Sequence, residues 1–377
     1  MKIALITDGI WPYVLGGMQK HSYYLCKYLA QQKINVHLFH FNQSEYDIEK
    51  LEFFTEEEKK YIISTIVPFP DTSQGFGHYL INSYRYSLNV YNILKDKLNE
   101  YDFIYTKGFT GWHFVREKHR GAFKTPKVGV KFHGYEMFQK APDFKTKLQQ
   151  IFLLKKPVKE ISQKADIVFS YGGKITDIIK GIGVDPNKIV ELPSGVEEST
   201  LAKTISFTGN IKKFLYLGRY ERRKGVEELN SALNKLDKNL NFEFHFVGPI
   251  PDEKKINSDR IIYHGEVRDK AKLTSLIQTC DVLVCPSWSE GMPNVILEAM
   301  ANGLAVIATN VGAMSILVSN KTGWLIESCS VSEIKRSIEV AISISNSELD
   351  KKKQNGLELI KEKFVWEKLI SRFLKAL

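Results

Sequence analysis

Long apolar runs are missing from this chain. One of the longest, Ile151-Phe-Leu-Leu154, ends at once in Lys155-Lys156, far short of the ~20 residues that span a bilayer. No transmembrane helix is expected. The N-terminus, Met1-Lys-Ile-Ala-Leu-Ile-Thr-Asp8, has too short an apolar stretch for a signal peptide and no small-residue cleavage site. It reads as a first strand. Cysteine is scarce, and Cys26, Cys280, Cys285 and Cys329 show no C-x-x-C spacing, so neither zinc nor a disulfide framework is indicated. A reducing cytoplasm is the expected compartment. Asp-x-Asp occurs nowhere and the nine histidines form no H-E-x-x-H cluster, so no metal site is expected. Neither first βα turn carries G-x-G-x-x-G, which counts against a nicotinamide-dependent enzyme.

Negative charge is also in deficit, leaving the chain at +10. Between Lys107 and Lys164, twelve Lys and two Arg face only Glu117, Glu136, Asp143 and Glu160, an excess equal to the whole net charge. A solvated basic face is one reading. Nucleic acid is a poor alternative, because no binding module or aromatic-basic signature accompanies the charge. An anionic membrane is the better one, since Asp143 to Lys159 interleaves Phe144, Leu148, Ile151, Phe152, Leu153 and Leu154 with five lysines. Residues 107–164 are therefore expected to make peripheral contact with the inner membrane face.

What is present is a repeated α/β pattern. Short β-branched and aromatic runs alternate with amphipathic segments twice over. Strands are expected at Lys2–Thr7, Asn35–Phe41, Phe103–Thr106, Lys127–Phe132, Asp166–Ser170 and Lys188–Leu192. A second series follows at Lys213–Leu217, Phe242–Val247, Ile261–His264, Asp281–Cys285 and Leu304–Thr309. Helices are expected at Met18–Gln32 and Asn82–Leu98, and an exposed helix or excursion at Glu49–Tyr61. Apolar runs such as Asp281-Val-Leu-Val-Cys285 suggest parallel strands covered on both faces. The fold class is α/β, with two doubly wound domains: residues 1–198, then 211–363, joined by a polar linker at 199–210. In such sheets ligands sit beyond the carboxyl ends of strands. The informative residues fall there.

Gly16-Gly17 stands between the first strand and the helix near Met18. Paired glycines let a ligand approach the backbone, and the helix N-terminus favours an anion; a plain turn would read the same. After the first strand of the second half comes Leu217-Gly-Arg-Tyr-Glu-Arg-Arg-Lys-Gly225. Arg219 and Lys224 can grip a diphosphate from two sides and neutralise charge that grows on it as it leaves; a surface charge run is the alternative reading. The third element is Ser289-Glu-Gly-Met-Pro-Asn-Val-Ile-Leu-Glu-Ala-Met-Ala-Asn-Gly303. It turns at Gly291 and starts a helix at Pro293, a favoured first-turn residue. Glu290 in the loop and Glu298 in the helix flank an anion site. Two carboxylates there suit hydroxyl groups, a ribose on one side and a hexose on the other.

This last segment resembles the E-x7-E signature of the retaining glycosyltransferases called family 4, of GT-B fold and bacterial cell-surface polysaccharide type. The resemblance covers most of the chain. Gly16-Gly17-Met-Gln-Lys-His21 is similar to the family's glycine loop, and Phe132-His-Gly-Tyr-Glu136 to its H-G-x-[DE] element. Leu192-Pro-Ser-Gly-Val196 resembles its N-G-V-like turn, and Gly218 to Gly225 its G-R-x-x-x-x-K-G element. Phe364-Val-Trp366 resembles the start of a closing helix, about 364–377, that returns to the first domain.

The resemblance implies roles. Gly16 and Gly17 would offer backbone to the donor phosphate, and Arg219 and Lys224 would hold the diphosphate. Glu298 would bind the ribose and Glu290 the transferred sugar, within a donor-binding loop that includes Gly291, Met292, Pro293 and Asn294. Gly265 and Val267, in His264-Gly-Glu-Val267, would line the base pocket. His133 would lie beside the sugar near the reacting bond; by itself a structural histidine is as good a reading. The implied activity is metal-independent transfer, with retention, of a hexose-type sugar from a UDP-sugar or GDP-sugar to a glycan or lipid-linked acceptor. No cofactor is expected. A GT-B sugar-nucleotide epimerase and a non-catalytic nucleotide-sugar binding protein are the alternatives. Two departures bear on the donor sugar: Ile316 stands where an acidic residue is usual, and Gln19 where Glu or Ala is commoner. Acceptor choice is expected in first-domain loops such as Asp71–Tyr84.

Overall fold

The computed structural model describes residues 1–14, 16–41, 52–71 and 77–377. The strands fall into two sheets, parallel throughout. The first is built from β1 (Lys2–Ile6), β2 (Asn35–His40), β3 (Ile62–Ile66), β4 (Phe103–Lys107), β5 (Lys127–Lys131), β6 (Ile167–Ser170) and β7 (Ile189–Glu191). Their order is β3-β2-β1-β4-β5-β6-β7. The second holds β8 (Lys212–Leu217), β9 (Phe242–Val247), β10 (Ile261–Tyr263), β11 (Val282–Cys285), β12 (Ala305–Thr309) and β13 (Gly323–Ile326), in the order β10-β9-β8-β11-β12-β13. Both orders reverse once, between β1 and β4 and between β8 and β11. Those reversals open the crevices in which such sheets take ligands.

The apolar runs form central strands because helices cover both faces. Ile3, Ala4, Leu5 and Ile6 of β1 are wholly buried, as are Ala305 to Ala308 of β12. Two strands are additions to the sequence reading. β3 and β13 lie at sheet edges, and edge strands need only one apolar face; Ile63 and Ile66 of β3 are exposed, which blurs the pattern. Of the expected Glu49–Tyr61 excursion, residues 52–61 are described, and they contain a short helix at Glu56–Lys59 capped by Thr55. Residues 49–51 of that excursion, and 72–76 of the Asp71–Tyr84 loop, lie outside the described residues.

The chain crosses between the sheets twice, and the crossings touch. Val196 N donates to Phe364 O at 2.9 Å and Trp366 N donates to Val196 O at 3.0 Å. The helix Trp366–Ala376 then buries Trp366, Leu369, Ile370 and Phe373 in the core of the first sheet. Phe373 packs on Phe103, Tyr105 and Phe169. Among the described residues no helix is long and apolar enough to cross a membrane.

Candidate active site

The loop after β8 is stapled to the loop after β11. Gly225 adopts φ +70°, and a Cβ there would lie 2.0 Å from the Pro286 carbonyl oxygen, so only glycine permits this approach. Trp288 N also donates to Arg223 O at 2.8 Å. These two contacts bring Lys224 and Arg223 over Glu290. Lys224 Nζ stands 2.5 Å from Glu290 Oε1, and Arg223 Nη1 3.3 Å from the same atom. Ser287 Oγ donates to it at 3.1 Å. Arg219, on the same loop, stands apart from this cluster. Its side chain is 74% exposed and pairs with Glu221 at 2.7 Å. Arg223, quoted in the sequence element but given no role there, is the arginine that reaches Glu290.

The helix Asn294–Ala301 begins one residue later than expected, with Pro293 as its N-cap. Its approach is where the second sheet's domain meets the first. A Cβ on Gly291 would stand 1.6 Å from His133 O, so glycine is required for the two backbones to touch. Ser194 binds both neighbours, its N donating to Met292 Sδ at 3.2 Å and its Oγ to Asn294 Oδ1 at 3.0 Å. Gln139 Nε2 donates to Glu290 O at 2.7 Å. A turn into the helix, Glu298 pairs with Lys20 at 2.5 Å across the cleft. Ile316, one of the two departures, lies against Gly172 at the end of β6, so its apolar side chain serves the contact between the domains.

On the facing side, His133 follows β5 and is half-buried at the carboxyl edge of the first sheet. Its Nδ1 hydrogen-bonds to Tyr171 Oη. A Cβ on Gly17 would lie 3.9 Å from His133 Nε2 and 3.5 Å from Asn294 Nδ2, which places the glycine loop between the two domains. At Gly16 a Cβ would meet the tip of the flexible Gln19 side chain at 2.3 Å. Burial, then the charges of Lys107 and Lys131, push the His133 imidazole well below its usual range, so it is neutral near pH 7. Burial likewise raises the Glu136 carboxyl, with Glu290 adding to the effect. Gly265 and Val267 sit past the end of β10, two strands from β8, apart from the Lys224–Glu290 cluster.

Below His133 lies a group the sequence hid inside its basic run. Lys107 and Lys131, the last residues of β4 and β5, are 1% and 0% exposed. Two of the fourteen cations in that run therefore belong to the interior, not to a charged face. Lys107 Nζ donates to His21 Nδ1 at 2.7 Å, and Lys131 Nζ donates to Leu192 O. Burial lowers Lys107 to about 7, opposed by Asp8. Burial raises Asp8 to about 6, opposed by a backbone hydrogen bond and Lys107. A Lys at a strand end preceding Gly108 gives no sequence sign of burial.

Comparisons with known proteins agree with this architecture. Residues 15–200 match the family described as Glycosyltransferase Family 4, and residues 211–343 match Glycosyl transferases group 1. The chain is 27% identical over 379 residues to the uncharacterized glycosyltransferase MJ1178 of Methanocaldococcus jannaschii, covering 98% of this chain and 96% of that one. It is 30% identical over 171 residues to the UDP-Gal:alpha-D-GlcNAc-diphosphoundecaprenol alpha-1,3-galactosyltransferase of Escherichia coli. That match spans 40% of this chain and 44% of the relative. Among solved structures, sucrose-phosphate synthase from Thermosynechococcus elongatus superposes with a TM-score of 0.76 at 19% identity, over 99% of this chain and 97% of that one. Two doubly wound domains, each matching a glycosyltransferase family in turn, make this chain a GT-B glycosyltransferase of the family 4/group 1 type.

Proposed function

We propose that the chain transfers a hexose-type sugar, with retention and without a metal, from a nucleoside diphosphate donor to a glycan or lipid-linked acceptor. One observation carries the reading: Lys224, Arg223 and Glu290 converge at the β8–β11 crevice directly opposite His133 and Gly17. The cations supply the counter-charge that a metal would give a diphosphate, and they do so preorganised. Arg219, paired with Glu221 on the same loop, adds a third cation when the donor binds. Glu290 and Glu298 accept hydrogen bonds from sugar and ribose hydroxyls. His133, neutral, meets the sugar through Nε2, with Tyr171 fixing the ring. Gly265 and Val267 line the base pocket, and uracil is the base, in keeping with the UDP-Gal named for the E. coli relative.

The acceptor side has its own surface. Phe144 and Phe152 are each 74% exposed, and Ile151 and Leu148 join them, on the helical stretch from Phe144 onward. Lys145, Lys147, Lys156 and Lys159 are exposed along it. Gln139, which bonds Glu290, lies just upstream, so a bilayer engaging this stretch lies beside the cleft. Apolar side chains among lysines suit an anionic lipid surface, where a lipid-linked acceptor would be met.

The test is turnover. Purified protein with UDP-hexoses and an undecaprenyl-diphosphate glycan should form product in excess EDTA. Activity lost to EDTA and restored by Mn²⁺ or Mg²⁺ would refute metal independence. Hydrolysis or epimerisation of the donor without transfer would refute the assignment.

A further inference from the structure

Resting on that reading, the ion pair between Lys20 and Glu298 carries a further assignment. Its partners are 278 residues apart in sequence, one in the first domain and one in the second. Lys20 lies in the helix Gly17–Gln31, three residues after Gly17. That spacing puts both on one face of the helix, the face on which Gly17 approaches His133 and Asn294. The two side chains are 37% and 26% exposed. A pair left partly in contact with solvent contributes only modestly to stability, so a purely structural strut is a weak account of it. A donor with its ribose at Glu298 and its distal phosphate at Gly17 must run past the Lys20 ammonium.

We propose that Lys20 is a donor-binding residue that changes partner when the donor arrives. The ribose hydroxyls take over the Glu298 carboxylate, and the released ammonium turns to the diphosphate, which offers more negative charge than the carboxylate it leaves. The first domain then contributes a cation as well as the glycine loop. The diphosphate is held from both sides, by Lys20 on one and by Lys224 and Arg223 on the other. Binding a nucleoside diphosphate and holding the domains together become the same event.

The experiment is calorimetric titration of the full chain with UDP, GDP and ADP, and ligand-observed NMR with the matching nucleoside. Lys20→Met should weaken the diphosphate that wild type binds by about tenfold or more, the scale of a lost charge-assisted hydrogen bond. The same variant should bind the nucleoside as well as wild type or better, because Glu298 is no longer occupied. Lys20→Arg should retain most of the diphosphate affinity. A merely structural lysine would weaken both ligands together, and a lysine that only blocks Glu298 would tighten both on removal. Either result overturns the proposal. If wild type binds none of the three diphosphates, the donor reading itself fails, and this inference with it.

Discussion

Lys224 Nζ and Glu290 Oε1 lie 2.5 Å apart, although 66 residues separate them in sequence. The cation proposed to meet a diphosphate is thus positioned by the carboxylate proposed to meet a sugar. Glu290 is 8% exposed on its side chain and is also shared with Arg223 and Ser287. Such a network costs little reorganisation when charge develops beside it.

Lys224→Ala should lower kcat more than it weakens donor binding, by ~100-fold or more, as for other preorganised contacts to developing charge. Steady-state kinetics with the donor varied at saturating acceptor measures the split. A raised KM at constant kcat would make the lysine a ground-state binding residue only.

The product should keep the donor's anomeric configuration, α from α. Glu290 and Glu298 are each paired with a lysine, Lys224 and Lys20, and in the proposed function both hold donor hydroxyls, which leaves neither to serve as a base on the far face of the ring. The departing diphosphate, held by cations, can accept the incoming hydroxyl's proton on the same face. NMR of the first-formed glycoside decides it, and a β product sinks the assignment. A trapped glycosyl-enzyme would leave retention intact while refuting the same-face route.

Stability should depend on pH through Lys107. Its pKa is about 7 in the fold against a reference of 10.5, so between these values the unfolded chain binds a proton that the folded one does not. Stability from this group therefore rises with pH across that window. Lys107→Met should remove the effect, stabilising the protein more at pH 7 than at pH 9 by about 2 kcal/mol. Denaturant titrations at the two pH values give the comparison. An equal change at both would mean Lys107 stays charged throughout.

Anionic vesicles should carry the protein upward in a flotation gradient at low salt, and salt should release it. Replacing Phe144 and Phe152 by Ser should reduce flotation several-fold while leaving soluble-acceptor activity intact. Protein that ignores anionic vesicles would return the exposed lysines to the role of a solvated face.

The sequence by itself determined the two α/β halves, because continuous apolar strands followed by amphipathic segments have few other ways to bury their faces. It also determined that Gly17, His133, Lys224 and Glu290 follow strands or open helices, with Glu298 a turn into the helix that follows, since each motif begins at a strand's carboxyl end. Which side chains meet was decided by tertiary structure. Arg219 and Arg223 are the same residue type four positions apart, and only the Gly225–Pro286 and Trp288–Arg223 contacts turn Arg223 inward. Gln139 and Lys20 reach Glu290 and Glu298 only because Gly291 lets the domains touch at His133. Lys107 and Lys131 look like surface charge in a basic run, yet the ends of β4 and β5 lie within the first domain, where burial sets their protonation. Local pattern fixes where a strand ends; the electrostatics of a site depend on what other chain segments pack against that end.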